Sequence, residues 1–216
     1  MSARRSTEPA RPDRVMSIHA HPDDQEFTVG GTLAKWARAG SEIVTVCLTS
    51  GEAGSNRSTP PDMTRERLVK IREEEQRAAC QVLGIADVVF LGYTDGVLEP
   101  TIALRRDLTR VVRRFRPDAV VCGDPTVRFY GNRYLNHPDH RVAADIALDA
   151  VFPSAETRFI FPELLDEGWR PTRSRACSST APRSRTSSST SPTRCRSSSP
   201  PCASTRVSSG TGTRPR

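Results

Sequence analysis

The chain alternates between short apolar runs and amphipathic segments from residue 15 to residue 151. The apolar runs cover residues 15–18, 42–48, 87–91 and 118–122. They are rich in β-branched residues and poor in charge, which is typical of strands buried on both faces of a sheet. We therefore predict four strands, and the β-branched run at 42–48 predicts a buried one.

Helical periodicity fills the segments between and after these strands, over residues 27–39, 63–83, 101–115 and 137–151. Gly40 and Gly84 follow the first two segments, as is typical of helix ends. In the second helix we expect Ala78 and Val82 to face inward. In the third helix the arginines lie opposite the apolar positions, and we expect them to form a solvated face. They are Arg105, Arg106, Arg110, Arg113 and Arg114.

Strands that alternate with helices predict an α/β fold, here a Rossmann-like three-layer sandwich with a mainly parallel sheet. In such folds ligands bind outside the carboxyl ends of the strands. The residues that follow each predicted strand are therefore the first place to look for a functional site.

The two ends of the chain differ in composition from the part between them. Residues 1–14 are polar and contain Arg and Pro, so we expect a disordered arm. Residues 15–170 form the predicted domain. Residues 171–216 hold 22 Ser or Thr, nine Arg and six Pro, and we expect a low-complexity tail that forms no core. A natural disordered tail and a translational frameshift in a GC-rich gene both explain it, and we favour the frameshift.

Charge and cysteine content exclude several classes of function. The net charge of +7 resides in the tail, because residues 1–170 carry 23 basic and 25 acidic side chains. The tail has no aromatic residue for base stacking, so we expect no nucleic-acid partner. No stretch approaches the roughly 18 apolar residues of a membrane span. The six cysteines form no C-x-x-C pair, which favours a reduced, cytoplasmic protein.

All four histidines lie in two short motifs, one directly after the first predicted strand and one in the loop and helix start after the fourth. The first motif is residues 19–26, HAHPDDQE, and the second is residues 136–140, NHPDH. A hydrolytic metal site needs three protein ligands and an open position. His21, Asp24 and either His137 or His140 meet this requirement. The donor set suits Zn²⁺ and also Fe²⁺, and the spare carboxylate of Asp23 can act as general base.

Turn chemistry is the alternative interpretation of each motif, because Pro fixes φ and Asp caps the next helix. Two such motifs at equivalent strand ends, using every histidine of the chain, favour the metal site.

At these residues the sequence resembles the PIG-L/LmbE-like zinc-dependent N-deacetylases, which carry an A-H-P-D-D-x-E motif and a later H-P-D-H. The matching segments are residues 20–26 and 137–140, with GGTL at 30–33, LTSGE at 48–52 and LGYTDG at 91–96. The resemblance covers about residues 15–165. It stops near Trp169, where the family continues with further strands and substrate-binding segments.

The resemblance implies a role for each residue of the two motifs. His21, Asp24 and His140 would hold the metal, and Asp23 would be the general base. His137 would stabilise the oxyanion or protonate the leaving amine. Asp139 would orient and charge His137. His19 would have a structural place or would support a ligand.

Two further residues are candidates for contact with substrate hydroxyls. Arg72, on the helix of residues 63–83, matches a similar Arg of the family, although an Arg72–Glu75 pair within the helix is an open alternative. Asp95 lies in the loop after the third strand. Glu26 is expected to brace the first helix.

These observations predict a zinc-dependent amide hydrolase that removes an N-acetyl group from an N-acetylglucosamine-type substrate. The expected partner is a small amino-sugar-like molecule, and a homo-oligomer is compatible with the sequence. One alternative is a catalytically impaired remnant that binds metal or sugar. Another is a nucleic-acid-binding module formed by the basic tail, which we rank last.

Overall fold

The structure is a computed structural model that describes residues 11–178 except 56 and 132. None of the helices in this range is long and apolar enough to cross a membrane. The elements in chain order are β1 (Arg14–His19), α1 (Asp24–Thr28), α2 (Gly30–Arg38), β2 (Glu42–Cys47), α3 (Arg65–Leu83), β3 (Asp87–Phe90), α4 (Ile102–Phe115), β4 (Ala119–Cys122), β5 (Phe129–Tyr130), β6 (Tyr134–Leu135), α5 (Pro138–Asp149), α6 (Glu163–Asp166) and β7 (Arg175–Ser178).

The central sheet has five parallel strands in the order β3-β2-β1-β4-β7. The four predicted strands are its first four members, so the α/β prediction is confirmed. β1 lies in the middle, with β2 on one side and β4 on the other. β5 and β6 form a separate antiparallel hairpin between β4 and α5.

Helices cover both faces of the sheet because alternate strand residues point to opposite sides. Val15 and Ile43 pack with Leu33 of α2 and Cys80 of α3. Met16 and the other face of the sheet pack with α4 and α5 in a larger cluster. The molecule therefore has the predicted three layers. The residues of α4 and α5 in this cluster are Leu104, Leu108, Val112, Ala143, Ile146 and Ala147.

The first predicted helix is two helices in the structure. Val29, at φ −133°, leaves the helical region between α1 and α2. Its N–H donates to the Gln25 carbonyl, and its own carbonyl accepts from Thr32, so the backbone stays hydrogen-bonded through the break. The break lets α1 begin only three residues after His21, at the carboxyl end of β1.

A described strand, β7, lies beyond the expected boundary at residue 170. β7 pairs in parallel with β4, and Arg175 N–H donates to the Asp118 carbonyl. Backbone ladders form without apolar side chains, so the polar composition of this segment did not prevent a strand. At the other end β1 begins at Arg14. The rest of the two expected terminal segments, residues 1–10 and 179–216, lies outside the described residues.

Two expectations about helix faces were wrong. Ala78 and Val82 are both exposed, Val82 to 87%, because α3 buries Gln76 and Cys80 instead. Arg113 is 1% exposed rather than solvated. α5 runs on into a kinked segment, Ala150–Ala155, that covers this side of α4. The Arg113 guanidinium donates to three carbonyls there and just beyond, those of Ser154, Thr157 and Ile160.

Candidate active site

The two histidine motifs meet at the carboxyl ends of β1 and β4, the two central neighbours of the sheet. The chain adds β2 and β3 on one side of β1 and then places β4 on the other side. Such a change of direction leaves a crevice at the strand ends, where α/β proteins bind ligands. A cavity of about 910 Å³ opens here and contains His21, Asp24 and His140 among its lining residues.

Three side-chain donors converge in this cavity. His21 Nδ1 lies 3.2 Å from His140 Nε2, which lies 3.1 Å from Asp24 Oδ1. Asp24 Oδ2 is 3.5 Å from His21 Nδ1. The His21 and Asp24 side chains are mostly buried, and that of His140 is about one-third exposed. His21, Asp24 and His140, which the sequence analysis gives as candidate metal ligands, thus lie close together.

The spacing of these donors fits a small divalent cation. In a tetrahedral site with bonds of about 2.0–2.1 Å, neighbouring donors lie about 3.3–3.4 Å apart. The three measured separations, 3.2, 3.1 and 3.5 Å, lie close to that value. The Asp24 carboxylate meets the two rings through different oxygens, Oδ1 towards His140 and Oδ2 towards His21, and the types and spacing of the donors fit a Zn²⁺-sized ion. His137 offers a further nitrogen to the same group, within 4.8 Å of those of His21 and His140.

Each of the two ligand imidazoles is oriented by a hydrogen bond through its other nitrogen. His21 Nε2 lies 2.9 Å from Asp95 Oδ1 and 3.4 Å from Asp139 Oδ2. His140 Nδ1 lies 3.3 Å from the amide oxygen of Asn136. In the neutral rings these acceptors place the proton on His21 Nε2 and on His140 Nδ1, so that the nitrogens facing Asp24 offer free lone pairs, as metal ligands require.

Asn136 is a functional residue that the sequence reasoning missed. It is buried, and its Nδ2 donates to the Val127 carbonyl at 2.8 Å, which fixes which end of the amide faces His140. The available signal was its position four residues before His140, on the approach to α5.

The electrostatics of the site follow from burial and the paired charges. Burial lowers the pKa of His21, but the hydrogen bond and charge of Asp24, with the charges of Asp95 and Asp139, outweigh it and raise the pKa to about 9. Burial raises the pKa of Asp24, but His140 and His21 outweigh it and bring that pKa below its ordinary value. A cation that binds here displaces the proton of His21.

Asp23 lies beside the ligand group with a separate set of contacts. Its backbone is left-handed, at φ 79°, and its carboxylate is about half exposed in the cavity. Arg72 Nη2 donates to Asp23 Oδ2 and to the Pro22 carbonyl, both at 2.8 Å. Arg72 also pairs with Glu75 at 3.6 Å. Its guanidinium thus holds the candidate base, and because Arg72 also lines the cavity, its contact with substrate hydroxyls stays a prediction.

Asp95 also differs from the expected substrate contact. Its side chain is 7% exposed, and both oxygens are engaged, one with His21 Nε2 and the other with the N–H of Ala53 at 2.8 Å. The loop after β3 folds against the loops after β1 and β2, so the carboxylate reaches a ligand instead of the open cavity. These contacts favour a role for Asp95 in orienting His21, and its contact with substrate stays a prediction.

Asp139 and His137 interact mainly through the backbone. The buried Asp139 carboxylate accepts from the N–H of Gly96 and of Leu98, and it lies 4.0 Å from His137 Nδ1. His137 Nδ1 accepts from Asp139 N–H as the cap of α5, so the neutral ring carries its proton on Nε2. Burial and the charge of His21 lower the pKa of His137. The Asp139 carboxylate lies nearer to His21 than to His137, and its role in orienting and charging His137 stays a prediction.

His19 has the structural place expected of it. It lies at the end of β1, and its Nε2 is 2.8 Å from the Ser17 hydroxyl. Burial lowers its pKa to about 4, so the ring is neutral near pH 7.

A family model described as PIG-L, GlcNAc-PI de-N-acetylase, matches residues 16–151, which include both histidine motifs. The chain belongs to the PIG-L family. The resemblance inferred from the two motifs is thereby confirmed.

Several curated PIG-L relatives are similar in sequence. A probable N-acetyl-alpha-D-glucosaminyl L-malate deacetylase 2 of Bacillus anthracis is 34% identical over 67% of this chain and 62% of its own length. The diacetylchitobiose deacetylase of Thermococcus kodakarensis is 32% identical over 64% of this chain and 49% of its own length. The chain thus spans about half to three-fifths of the length of these relatives.

Solved structures share the fold. The N,N'-diacetylchitobiose deacetylase of Pyrococcus horikoshii, in complex with an inhibitor, matches with a TM-score of 0.70 and 31% identity over 77% of this chain and 60% of that one. The 4-carboxy-2-hydroxymuconate hydratase GalB of Pseudomonas putida matches with a TM-score of 0.65 and 24% identity over 77% of this chain and 65% of that one. The second likeness concerns the fold alone.

Proposed function

We propose that this protein is a metal-dependent hydrolase that removes an N-acetyl group from an N-acetylglucosamine-type amide. One observation carries the proposal: three donors spaced for a cation share a cavity with a further carboxylate, that of Asp23, which is not one of the three. Relatives named as deacetylases of chitobiose and of glucosaminyl malate support the type of bond.

The metal ligands of the proposal are His21, Asp24 and His140. Two imidazoles and one carboxylate suit Zn²⁺, and Fe²⁺ accepts the same set. The cation would act as a Lewis acid on the amide carbonyl and would make water a better nucleophile near neutral pH.

The proton transfers are assigned to the chain's own side chains. Asp23 accepts the proton of the attacking water, and Arg72 keeps the carboxylate in one orientation during that transfer. His137 carries its proton on Nε2 and donates it towards the developing oxyanion or the leaving amine. Asp95 and Asp139 act through His21 rather than on the substrate.

The cavity suits a sugar of one or two rings. Its volume of about 910 Å³ lies at the upper end of ordinary small-molecule sites. Phe27, Tyr130 and Tyr134 line its rim and offer faces against which the apolar side of a pyranose ring can pack. We infer a small amino-sugar-like substrate, with no role for nucleic acid. Three buried free cysteines, Cys47, Cys80 and Cys122, support a reducing, cytoplasmic setting.

The test is acetate release by the purified full chain. The protein is loaded with Zn²⁺ or Fe²⁺ in parallel and given N-acetylglucosamine, diacetylchitobiose and an N-acetylglucosaminyl glycoside. We expect metal-dependent acetate release that is lost in His140→Ala together with the bound metal. A protein that holds one equivalent of either metal and releases no acetate from any of the three would contradict the proposal.

A further inference from the structure

The backbone of Asp23 adopts a conformation that its neighbours must maintain. At φ 79° and ψ −19° it is left-handed, which disfavours any residue with a Cβ atom. This turn separates the directions of two adjacent carboxylates: Asp24 joins the imidazoles, and Asp23 projects into the cavity beside them. Whatever holds the turn therefore also aims the candidate base.

Gln76 of α3 holds this turn through the backbone of Asp23. Its Oε1 accepts the backbone N–H of Asp23 at 2.7 Å, across 53 positions of sequence. The Gln76 side chain belongs to α3 and is 2% exposed, so water does not compete for the bond. Arg72 lies one turn earlier on the same helix and grips the Asp23 carboxylate. α3 thus holds Asp23 at two points, its backbone and its side chain.

The orientation of the Gln76 amide is itself determined. Its Nε2 donates to Glu26 Oε1 at 3.0 Å, and a carboxylate cannot donate in return. The oxygen end of the amide must therefore face Asp23. Glu26 Oε1 also accepts from Gln25, whose own Oε1 accepts from the Thr45 hydroxyl at 2.6 Å. The buried polar chain runs from β2 to the turn at Asp23.

We propose that Gln76 is a positioning residue for Asp23, with Glu26 fixing the direction of its amide. The inference rests on the proposed function, because it assumes that the Asp23 carboxylate removes a proton. Gln76 itself contacts neither the three candidate metal ligands nor the substrate. Its effect is to keep the base at one distance from the attacking water.

The first experiment replaces Gln76 by Met, which keeps the length and helical preference of the side chain but removes the acceptor. In the full chain loaded with zinc we expect kcat to fall about tenfold, the factor set by one lost hydrogen bond, with KM changed less than twofold. Zinc content stays at the wild-type value. Gln81→Met, at an exposed position of the same helix, is the matched control and keeps wild-type kcat.

The second experiment tests the direction of the amide by exchanging partners. Gln76→Glu places two carboxylates against each other and lowers kcat. Adding Glu26→Gln restores a donor–acceptor pair of reversed polarity, so the double variant recovers at least severalfold in kcat over the single variant. A purely structural role predicts no such recovery, because the double variant carries more changes than the single one.

A third measurement needs no activity. Hydrogen exchange at the Asp23 amide, followed by NMR, is slow in the wild type and becomes at least tenfold faster in Gln76→Met, with neighbouring α3 amides unchanged. The inference is overturned by an unprotected Asp23 amide in the wild type, by unchanged kcat in Gln76→Met, or by a loss of kcat that matches a loss of zinc. A wild-type protein without deacetylase activity would instead contradict the proposed function. The exchange result would then decide alone whether Gln76 holds the Asp23 backbone.

Discussion

Asp23 and Asp24 are adjacent in sequence, yet the structure gives them different surroundings. Asp24 lies between two imidazoles, which outweigh its burial and lower its pKa, as a metal ligand requires. Asp23 stays half exposed and pairs with Arg72. The left-handed backbone of Asp23 produces these different surroundings, because it turns the two carboxylates in different directions.

Replacing Asp23 by Ala separates the two roles. We expect kcat to fall by about 10²–10⁴, the usual worth of a general base, while zinc stays bound because the three ligands are untouched. Steady-state acetate release together with metal analysis checks this. Full turnover with zinc in place would show that another group removes the proton.

Asp95 allows a choice between bracing a ligand and binding a sugar. If its carboxylate orients His21, Asp95→Ala weakens zinc binding by about 10–100-fold. A chelator competition titration measures this, with Asp62→Ala, at an exposed position, as control. A variant with unchanged zinc affinity and a raised KM would return Asp95 to the substrate.

Among individual residues, the sequence predicts the candidate metal ligands better than the residues that hold the ligands and the base in place. His21, Asp24 and His140 stand out because every histidine of the chain lies in two short motifs. Arg72 reaches Asp23, and Asp95 and Asp139 reach His21, from 49 to 118 positions away. Such contacts depend on how loops pack, which local patterns do not encode.

Among the elements, strands were more predictable than breaks and edges. β1, β2 and β4 carry continuous apolar runs because both faces are covered, whereas β3, at the edge of the sheet, is only partly buried. The break at Val29 lies directly before Gly30 and Gly31, a pair that the helical periodicity on either side concealed, and β7 pairs through its backbone, which leaves no pattern in composition.

The end of α3 depends on Gly84, which has φ 75°. A Cβ added there would meet Ala37 Cβ at 3.2 Å. We expect Gly84→Ala to lower the free energy of unfolding by about 1–2 kcal/mol. Gly31→Ala, inside α2 with open space around it, is the matched control and should be neutral or stabilising by about 0.5–1 kcal/mol. Urea denaturation compares the two; equal effects would contradict the role of the positive φ.

β1 carries its own pH dependence through His19. Burial lowers the pKa of His19 from 6.5 to about 4, so between these values the unfolded chain binds more protons than the native one. The free energy of unfolding therefore falls as pH drops from 6.5 to 4, by up to about 3 kcal/mol from this residue. His19→Gln should flatten that part of the pH profile relative to wild type, since the other groups titrate in both proteins. Parallel profiles would refute the assignment.

For the molecule as a whole, the sheet order matters more than any one element. β1 and β4 must be neighbours for the first and second histidine motifs to meet, and residues from 21 to 140 then form one site. The parallel order also means that β4 needs a partner on its outer side. β7 supplies it, from a segment whose composition predicted no structure.

Removing β7 should therefore weaken the protein out of proportion to its length. A chain that ends at residue 170 loses the β4–β7 ladder and two outer bonds, from Thr172 N–H to the Ala155 carbonyl and from the Ser174 hydroxyl to the Pro117 carbonyl. It also exposes backbone along β4, which is buried throughout. At about 0.5–1.5 kcal/mol for each hydrogen bond, we expect a loss of about 2–4 kcal/mol.

The matched comparison is a chain that ends at residue 178, which keeps β7. At 2–4 °C per kcal/mol for a domain of this size, the shorter chain should melt about 4–16 °C lower. An unpaired β4 edge also offers a template for other chains, so the shorter chain should aggregate more on heating. Equal melting temperatures would mean that β7 lies against the sheet without stabilising it. In that case the stable unit would end at residue 170, as the composition first predicted.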